Sequence, residues 1–189
     1  SYTIYQNLRV SNPGLKITQV INSGNIIGQQ TQTAVDIFAC HLITAAAKFN
    51  GYGLFTFSPF DLSGEWSNEA VTVKQEKTAY YPLLQQANEQ VVRLKGLLSG
   101  YDISSMTFDQ NPTNGYGSGT KKMTVDYAKN GGTKQMIVNY ETDTSASANF
   151  AVTVALGKKY IMFGNNANVY DVLEGTNNSV TLTKGTGIL

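Results

Sequence analysis

The polar and apolar positions of this chain change period twice, and each change predicts a change of element. Tyr2, Ile4, Leu8 and Val10, with Gln6 between them, mark every second position; Asn12-Pro13-Gly14 supplies a turn, and Leu15, Ile17 and Val20 follow. A period of two gives a strand one apolar face, so this stretch predicts an opening pair of strands. From Thr33 the period becomes helical. Ala34, Val35, Phe38, Leu42, Ala45, Ala46 and Phe49 share one face, which predicts a helix over 34–50. Thr33 and Asp36 have capping-box-like spacing, with a carboxylate near the positive end of the dipole, while Lys48 and Gly51 mark the stop. Ile37, Ile43 and Ala47 fall outside the main stripe, so this helix is expected to be covered on more than one side.

The aromatic, β-prone run 51–60 predicts a strand ended by Pro59, and 69–77 carries Val71 and Val73 in alternation. Pro82 then suits a first helical turn. Leu84, Ala87, Val91, Leu94 and Leu98 follow at a/d spacing, Glu89 and Arg93 stand at i,i+4, and Gly100 ends the run. Two heptads are too few for a free-standing coiled coil, so the pattern reads as an amphipathic helix lying on a sheet. Beyond Tyr101 the pattern is β. A Gly-rich loop over 111–120 precedes a hairpin of Met123/Val125/Tyr127 and Met136/Val138/Tyr140 around Asn130-Gly131-Gly132. Phe150/Val152/Val154/Leu156 and 160–163 suggest another hairpin around Gly157-Lys158, and 169–173 and 180–183 complete a meander. The predicted class is α+β in one domain, 1–189: an antiparallel sheet with a C-terminal β-meander, covered by two amphipathic helices.

Composition narrows the function. A length of 189 residues suits a single domain, and 41% apolar residues suffice for a core. Fourteen basic against thirteen acidic residues leave a net charge of +1, and only 14% of residues are charged. A phosphate-neutralising protein needs a basic surplus, so no nucleic-acid partner is expected. One cysteine, Cys40, excludes an internal disulfide and reads as a core thiol. No window approaches the roughly 18 apolar residues of a spanning helix. The start lacks the basic and apolar regions of a signal peptide, which leaves cytosolic synthesis or a leader already removed. A neutral Asn, Thr, Ser and Gly surface fits secreted or extracellular proteins, or an assembled particle.

Reactive groups are scarce. His41 is the one imidazole, on an apolar helix without a cysteine pair or acidic cluster at metal-ligand spacing, so neither a metal nor a cofactor is expected. Asp36 and His41 project about 140° apart on a helix and cannot pair locally. No G-x-S-x-G elbow is present, and the Gly-rich stretch 115–121 lacks G-K-[ST] and precedes a strand. Asp61 and Glu65 beside Trp66 read as turn residues, and Asp126, Glu141 and Asp143 as surface charges. No catalytic residue is assigned and a non-enzymatic protein is expected.

Three readings follow. The first is a membrane-binding, oligomerising, pore-forming protein of toxin type, in which a hairpin over 136–156, apolar on one face and neutral on the other, inserts into lipid. The second is a self-assembling structural subunit such as a viral coat, tube or filament protein, favoured by near-zero charge. The third is a carbohydrate-binding module using the loops 111–120 and 165–168. Eleven tyrosines supply rings for headgroups, sugars or interfaces. The contact residues expected for membrane or interface are Tyr80, Tyr81, Tyr116, Phe150, Val152 and Val154, and the partners are membrane lipid or copies of the chain in a homo-oligomer, or a glycan.

Overall fold

The computed structural model describes residues 11, 16, 18–22, 34–55, 81–109, 121–141, 149–164 and 172–189. The predicted strands at 2–10 and 69–77 and the loops 111–120 and 165–168 lie outside them. Along the chain run β1 (Thr18–Asn22), α1 (Ala34–Ala46), β2 (Gly51–Phe55), α2 (Tyr81–Leu97), β3 (Asp102–Phe108), β4 (Lys122–Lys129) and β5 (Gly132–Asn139). There follow β6 (Phe150–Val154), β7 (Lys159–Gly164), β8 (Val172–Glu174), β9 (Asn178–Leu182) and β10 (Thr186–Ile188). The fold is mixed α+β, with a mainly antiparallel six-stranded sheet ordered β3-β4-β5-β10-β7-β8. β1 and β2 form a separate parallel pair across α1.

One face of the sheet carries the helices. Met123, Val125 and Tyr127 on β4, Met136 and Val138 on β5 and Phe163 on β7 meet Leu42, Ala45 and Ala46 of α1 and Val91, Leu94 and Leu98 of α2 in one buried core. Removing these apolar side chains from water is the chief drive for the packing. α1 is buried on more than one side, as its wide apolar surface required: Ile37, Phe38, Ala39, Leu42, Ala45 and Ala46 are each at most 1% exposed. The opposite face is covered by a two-stranded ribbon, β6 with β9. Val154 of β6 and Leu182 of β9 bury Ile188, with Val152, Ile137 and Met162 packed around them.

This layering corrects the expected meander. Strands 150–154 and 159–164 do not pair as a hairpin; β6 pairs with β9, and β7 lies between β10 and β8. The reason lies in their patterns. β6 has a single apolar face and suits an outer layer, whereas β7 has Tyr160 and Met162 on one side and Ile161 and Phe163 on the other, so it fits between two layers. Likewise β5 pairs with β4 and β10, never with β6, so the stretch 136–156 is not a hairpin. The second strand of the expected opening pair is present as β1, but its partner is β2.

Side chains from the sheet close both helix ends. Lys48, with φ 55, is the left-handed residue that ends α1, so the stop comes before Gly51. Lys48 N donates to the Ala45 carbonyl and Phe49 N to that of Thr44, the Schellman pattern, while Ala47 N serves Ile43. That leaves the Ala46 carbonyl, which accepts the Tyr127 hydroxyl from β4 at 2.5 Å. All four terminal acceptors of α1 are thereby met. At the end of α2, Lys134 Nζ from β5 donates to the Leu97 carbonyl at 2.6 Å, placing a cation at the negative end of the dipole.

The other end of the sheet is fixed by backbone contact. Gly185, in the β9–β10 turn at φ 69, lies so close to α1 that a Cβ there would stand 2.8 Å from the Val35 carbonyl oxygen. The buried Gln90 amide of α2 holds Gly164, accepting from its N at 2.7 Å and donating to its carbonyl at 3.4 Å.

Candidate functional site

The antiparallel ladder alternates the direction in which each residue's backbone groups point, and this alternation defines an open site in the middle of the sheet. Tyr140 N donates to the Lys121 carbonyl, so by alternation residues 138, 136, 134 and 132 of β5 bond towards β4. Residues 139, 137, 135 and 133 then bond the other way. Gly185 N donates to the Asn139 carbonyl, and β10 sets Ile188 opposite Ile137. On the far side, Ile161 and Leu189 exchange both backbone bonds, at 2.9 and 3.0 Å. Beyond Leu189 the slot between β5 and β7 continues, but no described strand occupies it. The N–H and C=O groups of Thr133 and Gln135 face it from β5, and those of Lys159 face it from β7.

The slot opens into a cleft of about 700 Å³. Leu97 and Ile161 line its helix side; Ile137, Val152, Ala155 and Tyr160 line its ribbon side. Strands separated by one missing strand stand about 9.5 Å apart, wide enough for an extended chain between them. Ala155 and Lys158, which line the cleft, flank a turn whose Leu156 is 70% exposed.

The cleft carries polar side chains beside its apolar ones, and several are engaged with neighbours. Asp126 accepts from Ser105 Oγ at 2.5 Å and from Gln135 Nε2 at 2.7 Å. Those two donors, Ser105 first, hold its carboxyl below the usual carboxylate range, so it stays ionised and is a weak base. Lys134 is engaged at the end of α2 and lies 4.7 Å from the Tyr101 ring centroid. Lys159 pairs with Glu174 at 3.5 Å, an exposed contact of small energetic weight. Tyr160 accepts from Ala155 N at 2.9 Å. The backbone groups of Thr133 and Gln135 on β5 and of Lys159 on β7 complete the lining.

Comparison with protein-family models, with curated proteins and with solved structures finds no match.

The residues singled out in sequence are not brought together. Tyr80 and Tyr116 lie outside the described residues, and Tyr81 opens α2. Phe150, Val152 and Val154 share one face of β6, and that face packs against the sheet as part of the inner layer. Val152 also reaches the cleft. Phe150 carries the Lys122 ammonium 5.8 Å above its ring. Asp61, Glu65 and Trp66 lie outside the described residues.

Two ionisable groups differ from their sequence reading. Glu141, expected at the surface, is fully buried and bonds Lys121 Nζ at 3.2 Å. Its N donates to the Asn139 side-chain oxygen, and Asn139 in turn donates to the Leu182 carbonyl. A buried carboxylate needs such a partner, and the β4–β5 register supplies it by bringing Lys121 alongside from 20 positions away. Cys40 is half-buried on α1. His41 is buried, with Nδ1 2.7 Å from the Ile37 carbonyl; desolvation lowers its pKa and the backbone bond partly opposes this. Among the described residues, no group of three His, Cys, Asp or Glu side chains could hold a metal, and no helix is long and apolar enough to cross a membrane.

Proposed function

We propose that this protein acts without catalysis, by associating with copies of itself, as a structural subunit of an assembly. The observation that carries this reading is the edge of the sheet: among the described residues β3 pairs on one side only, with β4, and an unpaired strand edge is a template for pairing with another chain. The low charge supports it, since little repulsion opposes close approach of copies. The reading fits a protein working outside the cell or within an assembled particle. Its test is particle size against concentration, by light scattering and electron microscopy without added lipid. Ordered polymers are the expected result; a particle that stays single at every concentration would refute it.

The membrane-active reading ranks second. The neutral polar surface suits it, but inserting 136–156 would first require freeing β5 and β6 from two different sheets and exposing the apolar face of β6. Dye release from liposomes of several lipid compositions tests it, and the absence of leakage throughout would remove it. The glycan reading rests on loops outside the described residues, and a silent glycan array would sink it.

A further inference from the structure

We propose that Asn177 is a modification site: it carries an N-linked glycan whose first sugar lies over Leu156. Asn177-Asn178-Ser179 is an N-x-S/T triplet, the acceptor pattern for such a glycan, whereas the other Asn-led candidate, Asn111-Pro112-Thr113, is barred by its proline. In an Asn-rich chain the pattern arises easily, so the fold has to support it. Asn177, Asn178 and Ser179 are all exposed, where β8 turns into β9. Asn177 stands at φ 59, a left-handed conformation that asparagine adopts more readily than most side chains. Its N donates to the Val154 carbonyl at 2.8 Å, and its Oδ1 accepts from Leu156 N at 2.9 Å. The side chain is therefore anchored at the surface through its oxygen, and a bond made at Nδ2 leaves that anchor in place.

Two neighbours carry the assignment further. The left-handed turn and the Leu156 bond account for Asn177 but make no use of the Ser179 hydroxyl, which the acceptor pattern requires. Leu156, at 70% exposure, is the most exposed large apolar side chain among the described residues, and its own N holds Asn177. An N-acetylhexosamine on Nδ2 starts beside that leucine, where its ring face and acetyl methyl cover apolar surface otherwise left to water. The transfer needs no redox partner. The anomeric carbon of a lipid-diphosphate-linked oligosaccharide bonds to Nδ2, its bond to the diphosphate oxygen breaks, the lipid diphosphate leaves and Nδ2 gives up a proton. The site goes beyond self-assembly and rests on the extracellular alternative of the proposed function.

The test places the full chain behind a cleavable leader in cultured eukaryotic cells and reads intact mass on protein from lumen and medium, beside protein from its natural source. Each should carry the mass of one glycan, lost on treatment with a peptide-N-glycosidase. Ser179→Ala should abolish it while melting with the parent, because Asn177 and its turn are kept; Ser179→Thr should retain it. On a hydrophobic-interaction column the glycosylated form should elute ahead of the deglycosylated one, and Leu156→Ser should shrink that gap. Unmodified protein from either source would overturn the site, as would a mass excess that survives Ser179→Ala. An undiminished gap in Leu156→Ser would overturn the packing of the sugar on Leu156. Light scattering on the deglycosylated protein reports self-assembly separately, so its failure and that of this site are told apart.

Discussion

The end of α1 offers a direct measurement of what one buried hydroxyl contributes. Tyr127 is 1% exposed, and its hydroxyl is the donor that satisfies the Ala46 carbonyl, the terminal acceptor of α1 that the Schellman turn leaves over. Tyr127→Phe keeps the ring and removes only the donor, so the core stays filled while a buried carbonyl loses its partner. Such an orphaned group costs about 1–3 kcal/mol. For a chain of this size, each 1 kcal/mol moves Tm by about 2–4 °C, so the variant should melt about 2–12 °C lower. Urea unfolding followed by circular dichroism, fitted for ΔG and m together, is the assay, and m should not change. Tyr160→Phe is the control: its hydroxyl accepts from an exposed amide, and its loss should fall within about 0.5 kcal/mol. A Tyr127→Phe protein matching the control would refute the claim that β4 caps the helix. Burial, and secondarily the Asp126 charge, push the Tyr127 hydroxyl far above its ordinary pKa, so its phenolate absorbance should appear in alkali only as the protein unfolds.

Further tests address other parts of the fold. Burial lowers the His41 pKa, so the unfolded chain takes up a proton near the usual 6.5 before the folded one does; stability is full above that pH and should fall as pH drops from 6.5 towards the folded value, a slope that thermal melts should show and His41→Gln should reduce. Lys121→Met leaves the Glu141 carboxylate buried without its ammonium and should cost about 3–5 kcal/mol at neutral pH by chemical denaturation; a loss below about 1 kcal/mol would mean that the pair contributes little. Gly185→Ala combines a positive φ with a 2.8 Å approach to the Val35 carbonyl, so it should cost more than about 1 kcal/mol, and an unchanged Tm would contradict the close packing of the β9–β10 turn on α1.

How legible the fold was depended on where each element finds its partner. α2 was clear because its signals are local: Pro82 at the start, an apolar stripe through Leu94 and Leu98, and Gly100, at φ 76, just past the end. The β4–β5 hairpin was equally plain, since two turn residues set its register, with Lys129 opposite Gly132. The layer assignment of β6 and β7 was present in the pattern, as one apolar face against two, but adjacency in sequence suggested a hairpin instead. β10 carried almost no signal. Three residues, Thr186–Ile188, with a glycine in the middle, do not declare a strand, yet β10 joins β5 to β7. The place of β10 in the sheet was therefore invisible in the sequence, because it is defined by which backbone edges it joins. No composition or motif records that.

The two helix ends have a mechanical consequence. Because Tyr127 and Lys134 reach from adjacent strands to the last carbonyls of α1 and α2, neither helix can lift away without stranding a backbone acceptor. The β6–β9 ribbon is tied in the same way, by the Asn139 side chain of β5 donating to the Leu182 carbonyl at 3.1 Å, and it is closed by pairing residues as far apart as Phe150 and Leu182. Under load or mild denaturant, both layers should therefore stay on the sheet until β4 and β5, which carry all three tethers, themselves give way.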